Sequence, residues 1–234
     1  MKTHVKNIYY RDADRILVAV DCIIFGFEGG NLQILLFKRK VEPFKDRWTL
    51  IGDFVNEDES VYNAARRVLH TSTGLSNVYM KQLYCYGEPD RDIGGRVISV
   101  AYYALIRLDD QVRHSVEHHR AKWFAVGEAP SLILDHDEMV VKALDELKKN
   151  AKYKPIGFEL LPEKFTMPQL QKLYEAMYQK SLDRRNFHKK ILPMNILKKL
   201  NEKDRTGSKK GAYLYRFDEA KYKKLLSKGY VFGV

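Results

Sequence analysis

Apolar positions recur along this chain with two periods, and the periods change in blocks. From Ile16 to Phe27 (ILVAVDCIIFGF) almost every residue is aliphatic, β-branched or aromatic. Glu28-Gly29-Gly30-Asn31 follows as a turn before a second apolar run, Leu32–Phe37. Two such runs across a glycine pair predict a hairpin. Arg47–Val55, with Trp48 and Gly52-Asp53, leads from a strand into the polar stretch 56–60. Val61, Ala64, Ala65, Val68 and Leu69 then mark one face of an amphipathic helix, with Gly74 placed to stop it. Strand-like runs return at Val78–Tyr86, Val97–Leu108 and Ala121–Val126, and Glu138–Lys149 reads as a helix. Strands interrupted by helices without regular alternation indicate an α+β fold.

The stretch Asn150–Pro155 is polar and ends in proline, which places a domain boundary there and divides the chain into 1–150 and 151–234. Beyond it the periods are short and helical. Thr166 and Gln169 have the spacing of a capping box, and Leu170, Leu173, Tyr174 and Met177 form an apolar stripe. Ser181 or Asp183 opens a second helix that Pro193 closes. Two β-capable segments, Ile196–Leu200 and Ala212–Phe217, flank the basic, glycine-containing turn Asp204–Gly211. Helix, turn, helix and a hairpin with a basic tip is the order of a winged helix-turn-helix.

Charge sharpens that division. The chain of 234 residues carries a formal net charge of +11. Residues 151–234 hold 20 Lys+Arg against 8 Asp+Glu, and residues 1–150 hold 21 against 22. Such segregation is expected when one domain sits on a polyanion and the other does not, although a solvated lysine-rich surface has the same composition. No apolar run approaches the ~20 residues that span a bilayer, so no membrane association is expected. The polar first fifteen residues contain no signal-peptide core, which points to a cytoplasmic location. The two cysteines, Cys22 and Cys85, lack zinc-site spacing and read as reduced thiols in the core.

The segment Asp53–Leu75 (DFVNEDESVYNAARRVLHTSTGL) resembles the Nudix box. Glu59, Arg67, Leu69, Gly74 and Leu75 stand in that motif's frame, and the resemblance extends as a domain over roughly residues 10–150. The departures fall on its chemistry. The resemblance implies glutamates that hold divalent cations against a diphosphate, and at those places this chain has Val68, Thr71 and Ser72, with Asp53 for the leading glycine. Valine supplies no oxygen, and neutral hydroxyls are weak ligands for a hard cation. The expectation is a domain without catalytic residues, metal or cofactor, in which Glu59 and Arg67 pin loop to helix. A residual ligand contact is the other role open to that pair.

A pocket can outlast the metal. The densest polar-aromatic cluster is Glu88, Asp90, Arg91, Asp92 and Arg96 with Tyr102. Carboxylates accept bonds from sugar hydroxyls while rings cover an apolar face, so these residues are candidates for a ligand site; a solvated turn with Arg91 paired to an aspartate is equally compatible. Arg39, beside Lys38, and Trp48 are further candidates. Arg39 suits an anion or a solvated strand edge, and Trp48 suits a platform or the core. Asp135-His136-Asp137-Glu138 lacks ligand spacing and reads as a helix cap.

In the second helix of the C-terminal part, Phe187 and Ile191 mark the buried side. Arg185, His188 and Lys189 project opposite, flanked by Arg184, Asn186 and Lys190. That face suits a major groove, where Arg reads guanine and Asn reads adenine. Lys209 and Lys210 would reach phosphates from the wing tip. Phe158–Asn186 is similar to the C-terminal domain of Nudix-related transcriptional regulators. That family includes repressors of NAD-biosynthesis genes responsive to ADP-ribose-type nucleotides, and regulators of sugar utilisation, one of them arabinose-responsive. DRDIGGRVISVAYYA from Asp90 and Ile156–Asn186 look closer to the sugar branch.

The resemblance therefore implies a Nudix-fold α/β/α sandwich with a mixed sheet, followed by a winged helix-turn-helix. Its expected partners are double-stranded operator DNA, a sugar or nucleotide-sugar-like effector (a pentose such as L-arabinose) and a second copy of the chain. Three readings stand beside it: an ADP-ribose-sensing regulator of NAD metabolism, a Nudix pyrophosphohydrolase with atypical metal ligands, and an RNA-binding or protein-interaction module.

Overall fold

A computed structural model describes residues 12–228 apart from 77, 118–119 and 207–209. The hairpin is strands β1 (Leu17–Glu28) and β2 (Asn31–Lys38), antiparallel from Ile24↔Leu35 to Glu28↔Asn31. Gly29 and Gly30 turn it at φ 60° and 90°, a region that L side chains disfavour. β3 (Trp48–Thr49) pairs with β2, and β4 (Ile51–Phe54) pairs with β1. After helix α1 (Val61–Thr73) come β5 (Tyr79–Tyr86), β6 (Val97–Leu105), α2 (Asp110–Glu117), β7 (Ala121–Ala125) and α3 (His136–Tyr153). The sheet order is β3-β2-β1-β6-β5, with β7 on the far side of β2. β1 and β6 run parallel from Leu17↔Val97 to Phe25↔Leu105, while the other pairs are antiparallel, so the sheet is mixed.

The near-continuous apolar run of β1 follows from burial on both faces. Its period of two sends Val20, Cys22 and Ile24 into one core with Ala64, Ala65, Val68 and Leu69 of α1 and Val112 and Val116 of α2. Ile23 and Phe25 enter the other core with Met139, Ala143 and Leu147 of α3. Helices on both faces of a mixed sheet make the α/β/α sandwich.

The C-terminal part is β8 (Phe165–Thr166), α4 (Met167–Tyr178), α5 (Arg184–Ile191), β9 (Leu197–Asp204), β10 (Ala212–Phe217) and α6 (Glu219–Leu226), with sheet order β8-β10-β9. The capping box forms: the Gln169 amide donates to Thr166 Oγ1 at 3.3 Å, and the Thr166 amide donates to Gln169 Oε1 at 2.7 Å. Asp183 caps α5, accepting from the Asn186 amide at 2.8 Å. This is a winged helix, joined to the sandwich to give an α+β chain.

The polar composition of 150–155 conceals a helix. α3 runs through Asn150 to Tyr153, because Met139, Ala143, Leu147 and Ala151 keep a four-residue spacing and are all buried. A division at 150/151 thus cuts the last turn of α3. The three short elements α2, β8 and α6 carry little periodic signal and were not predicted. Cys22 is buried, and burial pushes its thiol pKa well up; Cys85 is exposed, which corrects its assignment to the core. It sits in β5, whose burial pattern is mostly open to solvent. Among the described residues no helix is long and apolar enough to cross a membrane.

Candidate functional site

The box segment is organised around one arginine. Ser60 caps α1 through the Asn63 amide at 3.2 Å, and Gly74 ends it in the left-handed region at φ 71°. About two turns before that end, Arg67 reaches back. Its Nε donates to both Glu59 oxygens at 3.2 and 3.1 Å and its Nη2 to Glu59 Oε1 at 2.7 Å. Nη1 donates to Asp53 Oδ2 at 2.7 Å, and Nη2 also donates to the Phe54 carbonyl at 2.9 Å. The Arg67 hydrogen bonds lower the Glu59 pKa below its ordinary value, helped by the Asn56 amide. Glu59 and Arg67 therefore do pin loop to helix, and Asp53, standing at the glycine position, adds a second carboxylate to the clamp. Val68 faces the core at 3% exposure, where a carboxylate would be desolvated and unpaired. Ser72 is buried and Thr71 exposed, both with neutral hydroxyls. The two carboxylates at motif positions, Asp53 and Glu59, are thus bound by a guanidinium, and the other metal positions of the motif offer a valine and two hydroxyls. This donor set does not fit a cluster of divalent cations, and no group of three or more His, Cys, Asp or Glu among the described residues is arranged to hold a metal.

Beside the box lies a cavity of about 420 Å³. Lys38, Arg39 and Lys40, at the end of β2, supply positive charge on one side. Thr71, Ser72, Gly52 and Asp53 line the box side, and Asp21, Arg91, Asp92 and His136 complete it. Its floor is a buried polar network. Ser99 Oγ donates to Asp21 Oδ2 at 2.5 Å. Arg91 Nη2 lies 3.7 Å from the same oxygen, and His136 Nε2 lies 3.6 Å from Asp21 Oδ1. The Leu50 amide donates to His136 Nδ1 at 3.2 Å, with Thr49 Oγ1 at 3.0 Å, so Nδ1 is an acceptor and the ring proton sits on Nε2, facing Asp21. A Cβ on Gly52 would stand 2.3 Å from Asp21 Oδ1 and 2.7 Å from the Val20 carbonyl, so only glycine lets β4 approach Asp21.

Arg91 is the pivot. Its side chain is 4% exposed, and it grips Asp135 through two parallel bonds of 2.8 and 2.7 Å. Burial opposes its charge, but the bonds to Asp135 and the nearby Asp21 carboxylate outweigh that, raising its pKa further. Arg91 does pair an aspartate, but as a largely buried contact to Asp135 from outside its own turn rather than within a solvated one. Asp135 stands at the N-cap of α3 yet makes no side-chain cap bond, since its carboxylate is committed to Arg91.

The predicted ligand residues do not converge on one point. Arg39, Arg91 and Asp92 line the cavity; Arg39 also donates to the Pro43 carbonyl at 2.6 Å and the Val41 carbonyl at 3.2 Å. Glu88, Asp90 and Arg91 line a second hollow of about 470 Å³ on the other side of Arg91. Arg96 is turned to the carbonyls of Gly87 and Glu88 at 2.7 and 3.1 Å and braces the loop. Trp48 lies outside the cavity, edge-on to Phe124 at 5.0 Å and partly buried against the core. Tyr102 is 3% exposed in the core of α1, because the period of two in β6 turns it away from the cavity side. Asp21, Lys40 and His136 were not among the candidates. Asp21 had a signal, a lone charge inside an apolar strand; His136 had none beyond its acidic neighbours.

On the winged helix, Phe187 and Ile191 are buried at 3% and 0%, which turns Arg184, Arg185, Asn186, Lys189 and Lys190 outward. His188 is a correction: it is half-buried, its Nε2 meets no partner among the described residues, and burial together with Arg184 lowers its pKa. His188 follows Phe187 and stands three residues before Ile191, which places it at the edge of the buried face. Lys210 is exposed, and Lys209 lies outside the described residues. The structure adds a basic cluster on the wing that was not predicted: Lys199 and Lys203 Nζ stand 3.7 and 4.6 Å from the Tyr213 ring centroid.

Comparison with known proteins matches residues 15–144 to the NUDIX domain and residues 157–217 to the NrtR DNA-binding winged helix domain. The "ADPR responsive transcriptional repressor NtrR" of Acinetobacter baylyi is 32% identical over 86% of this chain and 82% of its own length. The "ADP-ribose pyrophosphatase" of Methanocaldococcus jannaschii is 36% identical over 53% of this chain and 70% of its own length. The crystal structure of Shewanella oneidensis NrtR complexed with a 27mer DNA is 26% identical and superposes with a TM-score of 0.80 over 92% of this chain and 97% of that one. The NUDIX domain of the same protein complexed with ADP ribose is 29% identical, with a TM-score of 0.50 over 58% of this chain and 90% of that domain.

Proposed function

The chain belongs to the NrtR-type family of Nudix transcriptional regulators, and from that premise we propose that it is a DNA-binding repressor whose sandwich senses ADP-ribose without hydrolysing it. One observation carries the reading. A basic cavity is retained beside a box that carries Val68, Thr71 and Ser72 at metal positions, and whose motif-position carboxylates Asp53 and Glu59 are held by Arg67. Lys38, Arg39 and Lys40 suit a diphosphate, because ammonium and guanidinium groups give charge-assisted bonds to phosphate oxygens. The Acinetobacter relative is named as responsive to the same nucleotide, the NUDIX domain of Shewanella NrtR is complexed with ADP ribose, and Shewanella NrtR is complexed with DNA. The exposed basic face of α5 then reads the operator, with two copies of the chain matching a two-fold site.

A pentose effector such as L-arabinose has one feature in its favour. Glu88 and Asp90 line the second hollow together with Tyr86, whose hydroxyl is buried without a described partner and whose pKa burial pushes up to about 12. The nucleotide reading is the better supported, because the relatives named for an effector are named for ADP-ribose.

The test is fluorescence anisotropy of DNA from upstream of the chain's own gene, at fixed salt, titrated with ADP-ribose and separately with L-arabinose. The expected result is a sequence-specific complex weakened by ADP-ribose alone. A response to arabinose alone transfers the sensor to the second hollow. Steady Mg²⁺-dependent turnover of ADP-ribose, lost in Glu59→Gln, would overturn the non-enzymatic reading.

A further inference from the structure

The cavity and the winged helix are joined by one element. α3 begins in the cavity wall, where His136 is its first residue, and has 18 residues, so it extends about 27 Å at ~1.5 Å per residue. Its last turn packs against the C-terminal part: Tyr178 of α4 donates its hydroxyl to the Ala151 carbonyl at 3.0 Å, in a buried contact. Between the two ends, Ala143, Leu147 and Ala151 share one core with Leu170, Leu173 and Met177 of α4. A helix packed along its length moves as a rigid rod. Displacement of its first turn is therefore felt at α4 and, through Tyr174 against Phe187 at 5.6 Å, at α5.

The Arg91–Asp135 pair is one of the ties on the first turn, beside the bonds of His136 to Leu50 and Thr49 and of the Leu132 amide to Asp137. Immediately before Asp135, Leu134 sits at φ 54°, a conformation that a branched side chain occupies only under restraint. Arg91 and Leu134 face both the cavity and the second hollow. An anion entering the cavity meets a guanidinium already shared between Asp135 and Asp21, and it must compete with those carboxylates for the same N–H groups.

We infer that Asp135 is the positioning residue of an anion-operated switch: effector phosphate draws Arg91 away from Asp135, the first turn of α3 loses that tie and shifts on its remaining ones, and the shift reaches the DNA-reading helix through the α3–α4 contact. This rests on the effector reading of the cavity given above. Two states biased by one guanidinium obey linkage, so the same exchange that changes DNA affinity must also set effector affinity.

Asp135→Asn keeps a residue suited to an N-cap while removing the charge that holds Arg91. Anisotropy with the upstream DNA and calorimetry with ADP-ribose, both on the full chain, read the outcome. Asp135→Asn is expected to bind ADP-ribose about fivefold or more tightly than the wild type, because Arg91 has a weaker competitor to leave. Without effector it should bind DNA within about threefold of the liganded wild type, given couplings of roughly 5–150-fold. A merely structural role predicts weaker binding of both ligands and overturns the switch. So does a variant that binds and responds like the wild type. Tyr178→Phe, which keeps its ring in the core, provides the second arm: the ratio of DNA affinities with and without ADP-ribose should shrink at least threefold. An unchanged ratio overturns transmission through α3. A wild type that binds DNA but ignores ADP-ribose overturns the effector reading and the switch together, whereas a responsive wild type with indifferent variants overturns the switch alone.

Discussion

Replacing Arg91 by alanine tests the physical core of the cavity. The guanidinium is 4% exposed and faces Asp135 at 2.7 Å and Asp21 at 3.7 Å, whose side chains are 18% and 10% exposed. Removing it leaves two largely buried carboxylates without their cation, and loss of one partner of a buried pair typically costs about 3–5 kcal/mol. In a domain of about 150–250 residues each kcal/mol moves Tm by roughly 2–4 °C, so the melting temperature should fall on the order of 10 °C. Circular dichroism melts at pH 7 and urea titrations would measure it. Arg91→Met fills much of the volume yet also orphans the carboxylates, and should cost about as much as Arg91→Ala; a mild effect of the methionine would show that packing dominates. Arg67→Ala is the contrast. It loses five hydrogen bonds against two for Arg91, but its side chain is 33% exposed and water replaces them, so a shift of about 1–3 °C is expected. An Arg91→Ala protein melting within about 2 °C of the wild type, or below-wild-type shifts equal for the two arginines, would refute the claim that burial sets the strength of these pairs.

Gly52→Ala should be more damaging than its exposed position suggests, because its Cβ would stand 2.3 Å from Asp21 Oδ1; strain of this kind typically costs about 1–3 kcal/mol, and urea unfolding together with ADP-ribose titration would detect it. The Glu59 pKa is held below its ordinary value of 4.5 by Arg67, so its contribution to stability is present above about pH 4.5 and is lost as pH falls through the lowered value. Melts from pH 7 to 3 should accordingly show a shallower acid decline in Glu59→Gln than in the wild type. The His188 pKa is also depressed, by burial and then Arg184, so the neutral ring is favoured in the fold and stability should drop as pH falls below about 6.5; His188→Gln should remove that component of the decline. Lys199→Ala and Lys203→Ala should each weaken binding of all DNA sequences and reduce the slope of log K against log salt by about 0.9, whereas Arg185→Ala should relax sequence preference.

Much of this molecule is written in local pattern. The glycine turn, the α1 stripe with its Gly74 stop, the capping box at Thr166 and the buried pair Phe187 and Ile191 are short-range features, and each forms as its spacing dictates. Such features depend on residues within one or two turns, which is why sequence alone carries them. The missing carboxylates at Val68, Thr71 and Ser72 are likewise a matter of residue type. The continuation of α3 past Asn150 was legible in the spacing of Ala143, Leu147 and Ala151, though polar neighbours masked it.

What only tertiary structure decided was who meets whom. Arg91 and Asp135 are 44 residues apart, and Asp21 and Ser99 are 78 apart; no period links them. Their pairing depends on β1 lying beside β6 and on α3 crossing the sheet end, so chain distance gives no hint of it. For the same reason Trp48 and Tyr102, plausible ligand residues by type, went against the core and into it: a strand's alternation says that two faces exist, but only packing says which face the cavity occupies.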